Sequence, residues 1–166
     1  MDAKMQRVID DYEIRQVLAR YTRGVDRGDA ELISSVYAEE STDDHGGYKG
    51  PGKAFGPYVV KALADHTEST MHTLNQSLID IHHETAKAET YFVAYHVRLD
   101  GGERYLDRFG GRYMDKLKKR SGEWHIIKRV VVRDWSMTEK IEGAFYKAED
   151  FVNGTRDKND LAYQPL

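Results

Sequence analysis

The chain has 166 residues, no cysteine and a formal net charge of -3. This length predicts one domain with one hydrophobic core, and the lack of cysteine excludes a disulfide framework, a thiolate metal site and a cysteine nucleophile. Charges of both signs are interspersed, which argues against a basic surface for nucleic acid or an anionic membrane. No apolar run is long enough for a signal peptide or a membrane span, so we expect a cytoplasmic protein. We expect it to bind neither nucleic acid nor a membrane.

The first third of the chain shows helical periodicity. The apolar stripe of the first helix, expected over residues 11–24, consists of Ile14, Val17, Leu18, Tyr21 and Val25. Gly24 and Gly28 mark its end, and Asp29 is a suitable N-cap for a second helix over residues 30–40. Residues 41–50 predict a strand that ends in a glycine-rich turn. A third helix is expected over residues 53–67, with Pro57 in its first turn.

From residue 70 onward the sequence favours strands. Four long segments rich in Val, Ile, Tyr, Phe and Thr are separated by the turn signals HHET, DGGE and KRSGE. Helices that precede an antiparallel meander predict an α+β domain, in which a curved antiparallel sheet wraps around the N-terminal helices as a cone-shaped barrel. This domain is expected to occupy residues 1–140. Residues 141–166 form a polar C-terminal arm that packs on the domain or crosses to a neighbouring subunit.

Five segments carry a resemblance to a known family. They are IRQVLARYTRGVDRGD, DDHGGYKGPG, STMHTLNQS, AETYFVAYH and GEWHIIKRVVVRDW. In this order they resemble the cone-fold superfamily named after nuclear transport factor two, and within it the SnoaL-like branch. This branch contains enzymes of the scytalone dehydratase and hexachlorocyclohexane dehydrochlorinase type. The superfamily also contains non-catalytic proteins, so the resemblance to its fold does not settle the function.

The resemblance implies a largely apolar pocket and an aspartate–histidine pair, which correspond to Asp26 and His72. Histidine suits proton abstraction because its ordinary pKa, near 6.5, lets it take up a proton at neutral pH. A buried carboxylate on its other nitrogen would fix the tautomer and stabilise the imidazolium. The alternative is that Asp26 only ends a helix and His72 only begins a surface strand.

Further site residues follow from the same resemblance. Arg129 occupies the position of an arginine that would stabilise a leaving group, or it forms a structural ion pair. Arg129 is expected to share the inward face of the last strand with Ile127. Tyr21 and His96 are candidates for an acid or orienting group. His45 would line the pocket, and Gln76 stands where relatives often have an asparagine that contacts the substrate.

Asp43, Asp44 and His45 could suggest a metal site. A strand sends Asp44 to the opposite side from Asp43 and His45, and the sequence contains no second metal-binding motif, so we expect neither a metal nor another cofactor. Exposed sheet faces and the arm favour a homodimer or homotrimer.

The function expected from these features is a cofactor-independent lyase of aromatic-compound catabolism. His72, oriented by Asp26, would remove a proton from a small apolar aromatic, terpenoid or steroid-like substrate, and water would leave. Release of formaldehyde from an aryl-propane compound, loss of halide, and isomerisation or cyclisation use the same pocket. A non-catalytic small-molecule-binding module is the alternative from another class.

Overall fold

A computed structural model describes residues 2–143 and 147–165. Its helices are α1 (Ala3–Arg27), α2 (Ala30–Ser35) and α3 (Gly52–Ala64). Its strands are β1 (Tyr37–Asp44), β2 (Lys49–Pro51), β3 (Thr67–His82), β4 (Thr85–Asp100), β5 (Glu103–Arg120) and β6 (Glu123–Lys140). Two short 3-10 helices, Ala148–Asp150 and Leu161–Tyr163, lie in the C-terminal arm. The expected α+β fold is confirmed, with helices first and a meander after them.

The strands form one open sheet in the order β2-β1-β6-β5-β4-β3. All neighbours are antiparallel except β1 and β6, which run parallel. The concave face of the sheet packs on α1 and α3, and the aromatic and aliphatic side chains between them form the core. No described helix is long and apolar enough to cross a membrane.

Helix α1 is longer at both ends than the sequence predicts. Asp2 caps its first turn, and Gly28, with φ +64°, closes it in the left-handed conformation that glycine adopts without strain. Asp29 then accepts a hydrogen bond from the backbone N–H of Leu32 at 3.1 Å, as expected for the N-cap of α2. These two caps fix the direction in which Asp26 leaves the last turn of α1.

The predicted extent of α2 is wrong. The helix ends at Ser35, and Tyr37 already begins β1. Val36 and Tyr37 are apolar positions that fit a helix or a strand equally well, and pairing of β1 with β6 decides between them.

Pro57 lies inside α3 and not in its first turn, because α3 begins at Gly52. A proline at position 57 cannot donate a hydrogen bond to the carbonyl of Lys53. The hydroxyl of Ser34 donates to that carbonyl instead, at 2.8 Å. The sequence therefore tolerates the proline because α2 packs against α3 at this point.

Strand β6 carries a bulge that changes which side chains face inward. Leu117 of β5 pairs with Ile126, whereas Lys116 pairs with Lys128, so Ile127 is the extra residue. Ile126 and Arg129 are both fully buried as a result. The expectation that Ile127 shares the inward face with Arg129 is wrong, because strict alternation does not hold across a bulge.

Candidate active site

The carboxylate of Asp26 is the centre of a hydrogen-bonded group at the end of α1. The His72 Nδ1–H donates to Oδ1 at 2.7 Å, and the His72 backbone N–H donates to Oδ2 at 2.9 Å. The hydroxyl of Thr70 also donates to Oδ1, at 2.9 Å. Both side chains are largely enclosed, since 14% of the Asp26 side chain and 8% of the His72 side chain are exposed. The structure therefore brings the two predicted residues into direct contact.

The hydrogen bonds keep Asp26 ionised. Burial acts to raise the pKa of this carboxyl, but the hydrogen bonds and the charge of His72, with the bond from Thr70, outweigh it and hold the pKa below its ordinary 3.8. An ionised Asp26 fixes His72 with its proton on Nδ1. The Nε2 atom of His72 makes no hydrogen bond with a described residue, so this nitrogen is the one available to accept a proton.

His96 lies beside the pair on the next strand. Its ring centroid is 5.5 Å from that of His72, and its buried Nε2 has no hydrogen-bond partner among the described residues. Burial, followed by the charges of His72 and Arg156, lowers the pKa of His96 to about 4. His96 is therefore neutral at pH 7, which suits a hydrogen-bonding role better than that of a charged acid.

Tyr21 and His45 belong to a second hydrogen-bonded group. The Tyr21 hydroxyl donates to His45 Nε2 at 3.2 Å, and His45 Nδ1–H donates to Asp43 at 2.7 Å. The other oxygen of Asp43 accepts a short hydrogen bond from the hydroxyl of Tyr37. Phe55 stacks on the ring of His45 at 4.3 Å. Burial raises the pKa of Tyr21 well above 10, so its hydroxyl keeps its proton.

Arg129 lies in the second group and not beside His72. Its Nε and Nη2 donate to the two oxygens of Asp115 at 2.8 and 2.7 Å, and both side chains are fully buried. The guanidinium carbon is 4.0 Å from the ring centroid of Tyr21 and 4.3 Å from that of Tyr113. Asp115 occupies the position directly across from Arg129 on β5. The ion-pair alternative considered for Arg129 is therefore present, with a partner that the sequence did not reveal.

Arg133, on the same strand as Arg129, is exposed, and its guanidinium donates to the hydroxyl of Ser136 at 3.3 Å. Gln76 is also exposed, at an irregularity in the pairing of β3 between Leu74 and Ser77. The structure therefore does not bring Gln76 to the other predicted site residues. Two arginines near the end of α1 bind the arm: Arg23, which is exposed, donates to the carbonyl of Ala162 at 2.6 Å, and Arg27 binds Asp160 at 2.7 Å.

Sequence reasoning missed two residues near the pair. Thr70 could have been found, because it lies two positions before His72 and therefore shares its face of β3. Arg156 had no sequence signal, since the arm has no periodicity, yet its Nη1 donates to the Thr70 hydroxyl at 2.5 Å. The arm thus packs on the domain of its own chain.

Open space lies next to the Asp26 carboxylate. A groove of about 380 Å³ runs between α1, the start of β3 and the arm, and Asp26, Thr70, Met71 and Ala162 are among its lining residues. Within residues 2–143 and 147–165, no three histidine, aspartate or glutamate side chains come together as a metal-binding group. The groove thus reaches Asp26 and Thr70, whereas His72 is not among its lining residues.

Comparison with protein families gives a match to the SnoaL-like domain over residues 6–130. The chain belongs to the SnoaL-like domain family. A search of curated proteins gives no significant match. The family match ends before the arm begins, so Arg156 lies outside the part of the chain that it covers.

Solved structures of low sequence identity share this SnoaL-like fold. A candidate scytalone dehydratase from Novosphingobium aromaticivorans has a TM-score of 0.74 at 16% identity, over 85% of this chain and 95% of its own. A type 2 hexachlorocyclohexane dehydrochlorinase has a TM-score of 0.74 at 12% identity, over 90% of this chain and 100% of its own. A protein of unknown function from Mycobacterium tuberculosis has a TM-score of 0.69 at 20% identity, over 81% and 77%. Proteins with this fold thus include a dehydrochlorinase.

Proposed function

We propose that this SnoaL-like protein is a cofactor-independent lyase in which His72 is the general base. The observation that carries the proposal is the contact between Asp26 and His72, with three hydrogen bonds directed at one enclosed carboxylate. These bonds leave Nε2 of His72 as the atom that takes the proton. The match to the SnoaL-like domain and the fold shared with a dehydrochlorinase support an elimination reaction.

In the proposed reaction, His72 removes a proton from a carbon next to an activating group, and a leaving group departs from the neighbouring carbon. Asp26 stabilises the imidazolium that forms, since it remains negatively charged and in contact with Nδ1. His96 is neutral, its ring centroid lies 5.5 Å from that of His72, and it donates a hydrogen bond to the leaving group. A departing hydroxyl takes the proton from the His72 imidazolium and leaves as water, which returns His72 to its neutral form. Water is the first choice of leaving group. Arg129 and Tyr21 support the fold of the pocket from the second group.

The test begins with a screen of hydroxylated and halogenated aromatic compounds for the ultraviolet change that accompanies elimination. With a substrate in hand, His72→Asn is expected to lower kcat by about 10²–10⁴-fold, the usual contribution of a general base. Asp26→Asn should also lower kcat. An amide can turn either its oxygen or its NH₂ group toward Nδ1, so it no longer holds the His72 proton on that nitrogen. His82→Asn, a change at an exposed histidine, is the matched control. Unchanged kcat in His72→Asn would remove His72 from the mechanism.

A non-catalytic binding module is the second candidate, and one observation favours it. The centre of the concave face is filled by packed side chains, with Phe92 and Tyr113 stacked at 3.9 Å and Arg129 over the Tyr113 ring. A binding module predicts that an apolar compound binds without turnover and that His72→Asn leaves its affinity unchanged. Turnover that depends on His72 would exclude this candidate.

A further inference from the structure

The C-terminal arm is held on the end of α1 by several polar contacts. Arg27 donates to the Thr155 carbonyl at 2.8 Å and binds Asp160 at 2.7 Å. Asp29, the N-cap of α2, also accepts a hydrogen bond from Tyr163 at 2.9 Å and contacts Lys158. These contacts lie on both sides of Arg156 in the arm and do not involve its side chain. They fix the backbone from which Arg156 reaches Thr70.

Arg156 is close to His72 and has unused hydrogen-bond donors. Arg156 donates to Thr70, which lies two residues before His72 on the same face of β3. Thr70 pairs with His96 on the neighbouring strand β4. The other guanidinium nitrogens of Arg156 make no hydrogen bond with a described residue, and none of them is sealed from solvent. A half-buried arginine is ordinarily paired with a carboxylate, because removing its charge from water is costly. The negative charge of Asp26 acts on Arg156, but the two side chains are joined only through the Thr70 hydroxyl and make no direct hydrogen bond. The Thr70 hydroxyl is the only hydrogen-bond partner of the Arg156 side chain among the described residues.

The space beside Arg156 is small and lies at the start of β3. A cavity of about 240 Å³ is lined by Gly28, Val60, Ala64, Glu68 and Arg156, among others. The Glu68 carboxylate is already paired with Arg104 at 2.6 Å, so it does not satisfy Arg156. The field of Arg156 also acts on its neighbours, since its charge helps to lower the pKa of His96.

We propose that Arg156 is a substrate-binding residue of this site and that it selects a substrate carrying an anionic oxygen, such as an aryl carboxylate. The planar guanidinium has donors in a fixed fork that matches a carboxylate. Arg156 is linked to the Asp26–His72 pair through the Thr70 hydroxyl, which accepts from Arg156 and donates to Asp26. The guanidinium would stabilise negative charge that develops on a bound carboxylate substrate as the base removes a proton. The inference rests on the proposed function and replaces the apolar substrate expected from the sequence with one that carries an acidic group.

The test measures binding and therefore does not depend on turnover. Benzoate and its neutral analogue benzamide are titrated into the full chain, and the side-chain signals of His72 and His96 are followed by NMR. Benzoate is expected to bind more tightly than benzamide and to shift both histidine signals. Arg156→Gln is expected to weaken benzoate binding by about tenfold or more, since a hydrogen bond to a charged group contributes about that factor or more. Arg156→Lys should retain part of the preference.

Arg133→Gln, which removes the same charge from an exposed site, is the matched control and should bind benzoate as the unchanged protein does. Limited proteolysis of the arm checks that Arg156→Gln leaves it docked. Unaltered benzoate affinity in Arg156→Gln, no preference for benzoate over benzamide, or equal binding of inorganic phosphate would each overturn the proposal. His72→Asn should still bind benzoate, so a failure of His72 as the base and a failure of Arg156 as the anchor give different results.

Discussion

The buried ion pair between Arg129 and Asp115 allows a quantitative test of whether Arg129 is structural. Arg129→Met removes the cation and leaves the Asp115 carboxylate buried without a counter-ion, whereas Asp115→Asn leaves the guanidinium uncompensated. The two hydrogen bonds at 2.8 and 2.7 Å involve charged groups, each contributing roughly 1.5–3 kcal/mol, so their sum is about 3–6 kcal/mol. Breaking a buried pair from one side generally costs about 3–5 kcal/mol, which agrees with this range.

Urea denaturation at pH 7, followed by tryptophan fluorescence, measures the free energy of unfolding of each variant. Each single variant of Arg129 or Asp115 is expected to lose about 3–5 kcal/mol, or about 6–20 °C in Tm for a domain of this size. The double variant should lose less than the sum of the two, because neither charge then remains buried alone. Additive losses, or losses below about 1 kcal/mol, would refute the argument that the pair supports the fold.

Three further predictions concern pH and packing. The pKa of His96 falls from 6.5 in the unfolded chain to about 4 in the folded protein, so the unfolded chain binds the proton first on acidification. The free energy of unfolding should therefore drop by up to about 3 kcal/mol between pH 6.5 and pH 4. His96→Gln should remove that drop. Asp26 acts in the same direction over a lower pH range. Its lowered pKa stabilises the fold above pH 3.8, and this contribution is lost as pH falls through the folded pKa. A Tm profile of Asp26→Asn that still shows the same acid loss would contradict this prediction. Gly56→Ala is expected to lower the free energy of unfolding by about 1–3 kcal/mol, because the added Cβ would lie 2.5 Å from the backbone oxygen of Ala30. Gly47→Ala, where a Cβ meets nothing within 4 Å, is the control for this change, and equal urea midpoints in the two variants would contradict the packing argument.

Much of the fold was predictable because local patterns agree with it. The stripe on α1 and the turn signals between the long strands give the α+β architecture, and the order of segments identifies the family. The contact of Asp26 with His72 followed from that resemblance, and strand alternation alone would have added Thr70.

The remaining features depend on contacts between distant parts of the chain. The bulge at Ile127 shifts the inward face of β6, so alternation counted from Arg129 assigns Ile127 to the wrong face. The partner of Arg129 is set by the register of two strands, which composition does not encode. The position of Arg156 depends on how an aperiodic arm docks on α1.

The parallel pairing of β1 with β6 has a consequence for the order in which the protein folds. Strands β3 to β6 join through tight hairpins, whose contacts are local in the chain and form quickly. Among the described strands, β1 pairs with β2 and with β6. Because β6 comes about 80 residues later in the chain, the docking of β1 to β6 must wait for a long loop to close. The meander is therefore expected to form before Asp43 and His45 reach their final positions beside Tyr21. Detachment of β1 would break the hydrogen bonds among these three residues and leave the four strands of the meander paired.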